Sequence, residues 1–267
     1  MTAIALAGLG TLLALMSGVW AASVVRRDVS IVDIWWSLAI LAAGCVYASE
    51  ADQLTPRRIA VLAAVGLWAI RLAAYLAWRG WGAEEDRRYQ AMRARRPRFR
   101  WSSLFVVFWL QAVLAWVISL PLLAGMQGEQ PGAPGLLDAV GAVLFAAGFG
   151  FEAIGDWQLA RFKADPGNRG QVCDRGLWRY TRHPNYFGEA VLWWGLWCVA
   201  GAGSGAPWTI VGPLLLTWLL LRVSGVTLLE ADLLQQKPAY RDYVARTSAF
   251  LPMPPRRGAD SSGEGRR

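Results

Sequence analysis

Apolar residues gather in seven long runs: Ala3 to Val25, Ile31 to Ser49, Ile59 to Trp78, Trp101 to Gly125, Gly135 to Gly155, Tyr186 to Gly203 and Pro207 to Leu229. Each is close to the ~20 residues a helix needs to cross the hydrocarbon of a bilayer. The pattern predicts an all-α, polytopic membrane protein with seven transmembrane helices. Trp35, Trp36, Trp78, Trp101, Trp193 and Trp208 lie near run ends, where amphipathic indoles settle at the headgroup level. Residues 1–251 read as a single membrane domain without internal repeats. The tail 252–267, rich in Pro, Gly, Ser and Arg, lacks apolar periodicity and is expected to be disordered and cytoplasmic.

Loop charge gives the orientation. Arg79, Arg87, Arg88, Arg93, Arg95, Arg96, Arg98 and Arg100 separate runs three and four, and Arg161, Lys163, Arg169, Arg175, Arg179 and Arg182 separate runs five and six. The connections Met126 to Pro134 and Ala202 to Ala206 contain no Lys or Arg. The arginine-rich loops are therefore expected in the cytoplasm, with the N-terminus outside and the C-terminus inside. Arg57 and Arg58 fall in an outside loop, balanced by Glu50 and Asp52. Met1-Thr2-Ala3 lacks a basic n-region, so the first run reads as a retained span of a multi-pass protein, here of a bacterial inner membrane. The net charge of +8 follows from this topology, and it favours anionic lipid or an anionic cofactor over nucleic acid as a partner. Cys45, Cys173 and Cys198 form neither a disulfide framework nor a CxxC site. Oligomeric state is left open.

Polar residues inside the apolar runs mark candidate chemistry. Arg71, Tyr75 and Arg79 recur at i, i+4 and i+8 along one face of the third helix. Arg71 lies roughly 10 Å deeper than Trp78, so it either snorkels or finds a partner, with Asp33, Arg222 and Glu230 as candidates to complete the group. Glu152 and Asp156 share a face of the fifth helix, near its expected C-terminus, where the helix dipole disfavours carboxylates. Either a ligand with hydroxyl or amide donors or a salt bridge to Arg71 or the loop arginines would compensate. His183, the single histidine, precedes Pro184, which suits the first turn of a helix carrying Asn185, Tyr186 and Glu189. The N–H groups of that turn favour phosphate. One histidine without a nearby thiol pair gives poor metal-ligand spacing, so no metal is expected. Gly148, Gly150 and Gly155 lack the strand context of a dinucleotide fingerprint and read, with Gly8, Gly10, Gly195 and Gly201, as helix-packing positions.

The run Asp156 to Gly170, the motif Gly176-Leu177-Trp178-Arg179-Tyr180-Thr181-Arg182-His183-Pro184-Asn185-Tyr186-Phe187-Gly188-Glu189, and Leu229-Glu230 with Tyr240, Tyr243 and Pro252 resemble the bacterial DUF1295 family. That family is related to the C-terminal domain of steroid 5-alpha reductases. Val32-Asp33 with Trp35, the Arg71/Tyr75/Arg79 stripe, Glu85-Asp86-Arg87-Arg88-Tyr89 and Met92-Arg93 extend the resemblance over about residues 30–255. It implies an NADPH-dependent enzyme that reduces a carbon–carbon double bond conjugated to a carbonyl. By the same resemblance Asp156, Lys163, Tyr180, Asn185 and Glu189 stand at dinucleotide-contacting positions, and Glu152 stands where the reductases carry an Asn. Arg71, Arg79, Arg182, His183, Tyr186 and Glu230 complete the candidate cofactor set. Tyr75 and Asp33 are the candidates for gripping the substrate carbonyl, matched only approximately, since Trp68 lies nearer the position of the reductases' Tyr. The expected substrate is an apolar steroid-like, isoprenoid or lipid enone.

A second class shares part of the motif. Isoprenylcysteine carboxyl methyltransferases carry an Arg-His-Pro-x-Tyr-x-Gly pattern, matched by Arg182, His183, Pro184, Tyr186 and Gly188, with a later Glu resembled by Glu230. They use S-adenosylmethionine, which lacks phosphates, and the many loop arginines lean toward NADPH. A non-catalytic lipid-binding membrane protein is the third reading.

Overall fold

The computed structural model describes residues 1–129, 133–223, 230 and 239–256. Among them the only β-pairing is an isolated parallel bridge between Thr181 and Ser248, and the rest of the regular structure is helical. Among the described residues, five helical stretches are long and apolar enough to cross a membrane: Thr2–Arg26, Ile31–Ser49, Pro56–Gly80, Phe99–Ile118 and Leu136–Ala164. The sixth apolar run is helical over 184–202, and the seventh over 207–223 before it leaves the described residues.

Two compact units divide the chain: Met1–Gly141 with Leu196–Leu215, and Ala142–Gly195 with Leu216–Arg267. The first unit is built on α2 (Ile31–Ser49), which packs against α1 (Thr2–Arg26), α3 (Pro56–Gly80), α6 (Leu110–Ile118) and α7 (Leu120–Gln127). Leu12, Met16, Ile40, Val65, Trp68, Phe108, Ile118, Leu122 and Met126 form its buried core. Because lipid competes with apolar helix faces, close packing and hydrogen bonds carry the association. Gly8 sits against the Tyr47 ring, and the Tyr47 hydroxyl shares a 3.1 Å hydrogen bond with Ser119 Oγ.

Local chemistry moves several expected boundaries. Thr55 caps α3 by accepting from the Arg58 N–H, with Pro56 at the first helical position. Arg57 and Arg58 do not sit in a loop balanced by Glu50 and Asp52. Arg57 pairs with Asp138 at 2.5 Å, and the buried Arg58 donates to the carbonyls of Gln53, Gly125 and Gly128, satisfying the end of α7. The fourth apolar run is broken. It comprises α5 (Phe99–Ser103), a π-helical turn Leu104–Trp109, α6 and α7, with the interruption at Ser119, since Pro121 lacks the N–H that would continue the ladder. The basic segment after α3 holds a short helix, α4 (Arg87–Arg95), capped by the Asp86 carboxylate, which accepts from Arg88 N–H.

The second unit contains α8 from Ala142 onward, α8 as a whole being Leu136–Ala164, and α9 (Pro184–Leu196). Their backbones touch through glycine: a Cβ on Gly148 would meet the backbone of Gly188 and Leu192, and one on Gly188 would meet Gly148 and Glu152. Gly155 lies against Pro184 and Asn185. Gly150 and Gly10 face open space, so the packing role expected for them is not theirs. Within the expected tail, Met253 N–H donates to Tyr180 O and Arg256 N–H to Arg246 O, so backbone pairing reaches Arg256. Residues 257–267 lie outside the described residues.

Candidate functional site

α8 runs nine residues past Gly155. Glu152 and Asp156 are therefore interior to the helix, and the C-terminal dipole argument does not apply to them. Arg161 and Lys163 belong to its last turn, where cations are favoured. Both carboxylates are buried, and Asn185 Nδ2, in the first turn of α9, donates to Asp156 Oδ1 at 3.1 Å. Asn185 Oδ1 is buried without a hydrogen-bond partner. Glu189, also buried, follows one turn later on the same face. The glycine contacts that bring α9 against α8 thus place Glu152, Asp156, Asn185 and Glu189 around one seam.

A second cluster adjoins the start of α9. Arg182 is buried and donates to both oxygens of Glu230, at 2.7 and 3.0 Å, and to the carbonyls of Val244 and Thr247. His183 Nε2 lies 3.1 Å from Glu230 Oε1, and its ring stacks on Tyr186 with centroids 5.4 Å apart. Burial pushes the Glu230 carboxyl upward, but hydrogen bonds from His183 and Arg182 outweigh it and hold the group below its ordinary value. Burial and then the Glu230 charge push the Tyr240 phenol up. Arg182 and Glu230 are therefore each other's partners.

The loop entering this cluster is fixed at every step. Gly176 takes φ +60°, which favours glycine, and the following Leu177 N–H donates to Gln158 Oε1. Trp178 Nε1 donates to Gly155 O, the Tyr243 hydroxyl to Trp178 O, and Thr181 Oγ1 to Phe250 O. Ser248 O accepts from the Arg182 N–H. The segment Thr247–Met253 is consequently a strap across Trp178–His183, a role that sequence reasoning missed; the Thr and Ser at its start offered no periodic signal. Tyr180 and Lys163 are exposed.

In the first unit, the Tyr75 ring lies between two guanidinium groups, 6.0 Å from Arg71 and 5.6 Å from Arg79, so the stripe interacts within itself. Asp33 accepts from Arg88 at 2.8 Å and from the Tyr89 hydroxyl at 2.9 Å. It therefore holds α4 and does not complete a pair with Arg71. Gln111 Nε2 reaches the same Tyr89 hydroxyl at 3.4 Å. Burial drives the Tyr89 phenol above its ordinary value, reinforced by the Asp33 charge. Among the described residues no group of three or more His, Cys, Asp or Glu side chains is arranged to hold a metal ion.

The motif from Trp178 to Glu189, the two buried carboxylates upstream and Glu230 downstream lie in a stretch that matches a known family. The chain belongs to the DUF1295 family. Residues 19–247 match it, and the family is described as a protein of unknown function. An uncharacterized protein of Schizosaccharomyces pombe is 27% identical over 279 residues, covering 91% of this chain and 78% of that protein. No solved structure matches the chain. Every residue of both clusters in this DUF1295 protein falls within the matched range, and the strap from Ser248 lies just beyond it.

Proposed function

We propose that this chain is a seven-span membrane reductase that uses NADPH to saturate a carbon–carbon double bond conjugated to a carbonyl in an apolar steroid-like, isoprenoid or lipid substrate. The arginine-rich loops and C-terminus then face the cytoplasm of a bacterial inner membrane and the N-terminus faces outside, a topology that reporter fusions at residues 90 and 205 would test.

The observation that carries the reading is the buried acceptor set on α8 and α9. Glu152, Asp156, Glu189 and the unpartnered Asn185 Oδ1 are complementary to donors, and the donors of a dinucleotide are its ribose hydroxyls and nicotinamide amide. Asn185 is itself oriented by Asp156. The exposed Arg161 and Lys163 at the end of α8, with Arg169, Arg175 and Arg179 beyond it, are cations suited to phosphate. Bound NADPH would supply the hydride for the β-carbon. In the first unit, Tyr75 is the candidate for polarising the carbonyl, as its two flanking guanidinium groups favour negative charge developing beside the phenol.

A second reading draws on one specific observation. Arg182 is taken up by Glu230 and two carbonyls, so the buried ionisable side chains on the α8–α9 seam are carboxylates. That balance also suits the cationic sulfonium of S-adenosylmethionine and a methyltransferase. A thermal-shift comparison separates the two: NADPH at 100 times its dissociation constant should stabilise the native state by about 2.7 kcal/mol, and Asn185→Ala should weaken the response. A shift with S-adenosylmethionine alone would overturn the reductase, and no shift with either, or with NADH, would favour the non-catalytic lipid-binding reading.

A further inference from the structure

The nine residues of α4 separate cleanly into two faces. At 100° per residue, Arg88, Tyr89, Met92 and Arg93 occupy one arc and Arg87, Gln90, Ala91, Ala94 and Arg95 the other. The first arc is docked. Arg88 and Tyr89 bind Asp33 in the first turn of α2, and Arg93 binds Glu85 at 2.7 Å and lies over the Phe99 ring. Glu85 in turn accepts from the Val29 N–H, and the Asp86 N–H donates to Ser30 Oγ. Every residue of the second arc is exposed, and that arc contains small or basic residues and one amide, with no acid.

These contacts also fix where the helix lies. It is pinned to the first turn of one candidate span, α2, and joined in sequence to the end of α3 and the start of α5. Both of those ends carry exposed tryptophans: Trp78 and Trp81 are 65% and 89% exposed, and Trp101 is 60% exposed. Trp101 is held against Trp20 of α1, whose Nε1 donates to Arg100 O. Exposed indoles at span ends mark the headgroup level. Between α3 and α5 the exposed Glu84 is the one acid left outside these ion pairs, since Glu85 and Asp86, like Asp33, are engaged by Arg88 and Arg93, so basic residues predominate on the outer surface. Arg87, Arg95, Arg96 and Arg98 have no carboxylate partner among the described residues.

We infer that α4 is an interfacial helix whose outward face, continued by Arg96 and Arg98, binds the anionic headgroups of the surrounding phospholipid. The small residues Ala91 and Ala94 let phosphate approach the helix between the flanking arginines. This surface is separate from the α8–α9 clusters in sequence and chemistry, and it holds whether or not the chain is a reductase.

The test is lipid selectivity of the full chain in neutral detergent, read by native mass spectrometry as apparent dissociation constants for dioleoyl phosphatidylglycerol and dioleoyl phosphatidylcholine. Phosphatidylglycerol should bind more tightly. The triple variant Arg87→Gln, Arg95→Gln, Arg96→Gln should lose about fivefold in that affinity per arginine, or roughly a hundredfold in all, with phosphatidylcholine binding unchanged. Equal affinity of the parent chain for the two lipids would overturn the inference, as would a triple variant that keeps the preference. Added salt supplies a check that needs no variant: the preference should shrink as ionic strength rises, and a salt-independent preference counts against headgroup charge.

Discussion

Removing the Arg182 guanidinium tests whether the second cluster is structural. Arg182→Ala deletes a bidentate pair with Glu230, leaves a largely buried carboxylate beside His183, and strips the Val244 and Thr247 carbonyls of their donor. The two side chains retain only 9% and 14% of their exposure, so water replaces the lost partner incompletely. Breaking a buried pair by removing one member costs about 3–5 kcal/mol, and the residual exposure argues for the lower end, ~3 kcal/mol. For a chain of this size that corresponds to a melting temperature lower by about 6–12 °C. Replacing both partners, Arg182→Met with Glu230→Met, removes the stranded charge and should recover much of the loss. The assay is thermal unfolding of detergent-purified single and double variants arranged as a double-mutant cycle. A coupling energy near zero, or an Arg182→Ala protein that melts with the parent, would refute the reasoning and free Arg182 to act on a ligand.

Other perturbations probe the remaining contacts. Glu230, with a depressed pKa, contributes stability that is fully present above its unfolded-state value, about 4.3, and is lost as pH falls through the lower folded value; Glu230→Gln should flatten this acid limb in a pH series of melting curves. Gly148→Ala and Gly188→Ala each push a Cβ into the facing backbone and should destabilise by about 1–3 kcal/mol. Gly150→Ala, with open space around it, should instead stabilise the helix by roughly 0.5–1 kcal/mol, and equal effects at all three positions would discredit the seam. Tyr89→Phe removes the hydroxyl shared by Asp33 and Gln111 at a cost of about 1–3 kcal/mol, so amide exchange in α4 should accelerate with little change in α1.

What the sequence reveals and conceals follows from the range of each interaction. Hydropathy reports burial in hydrocarbon, so Ile31–Ser49 has the same ends as a run and as a helix. It does not report where a helix stops: α8 continues through Gln158, Arg161 and Lys163, which are good helix formers outside the apolar stretch. The break at Ser119 was present in the sequence as Pro121, but an uninterrupted apolar run hides it. α4 escaped because its docked face is held by ion pairs and two apolar residues, too few to give a helical period. Local spacing was enough to align Glu152 with Asp156 and to start α9 at Pro184 beside Asn185. Pairing among many arginines and carboxylates is a different problem, because residues such as Arg182 and Glu230, 48 positions apart, have equivalent partners until the fold selects one. That selection has a functional consequence. Because Arg182 is engaged by Glu230, the proposed dinucleotide reading assigns phosphate to the exposed cations around Lys163, so charge reversal there should weaken NADPH in the thermal-shift assay while sparing the Arg182 cluster.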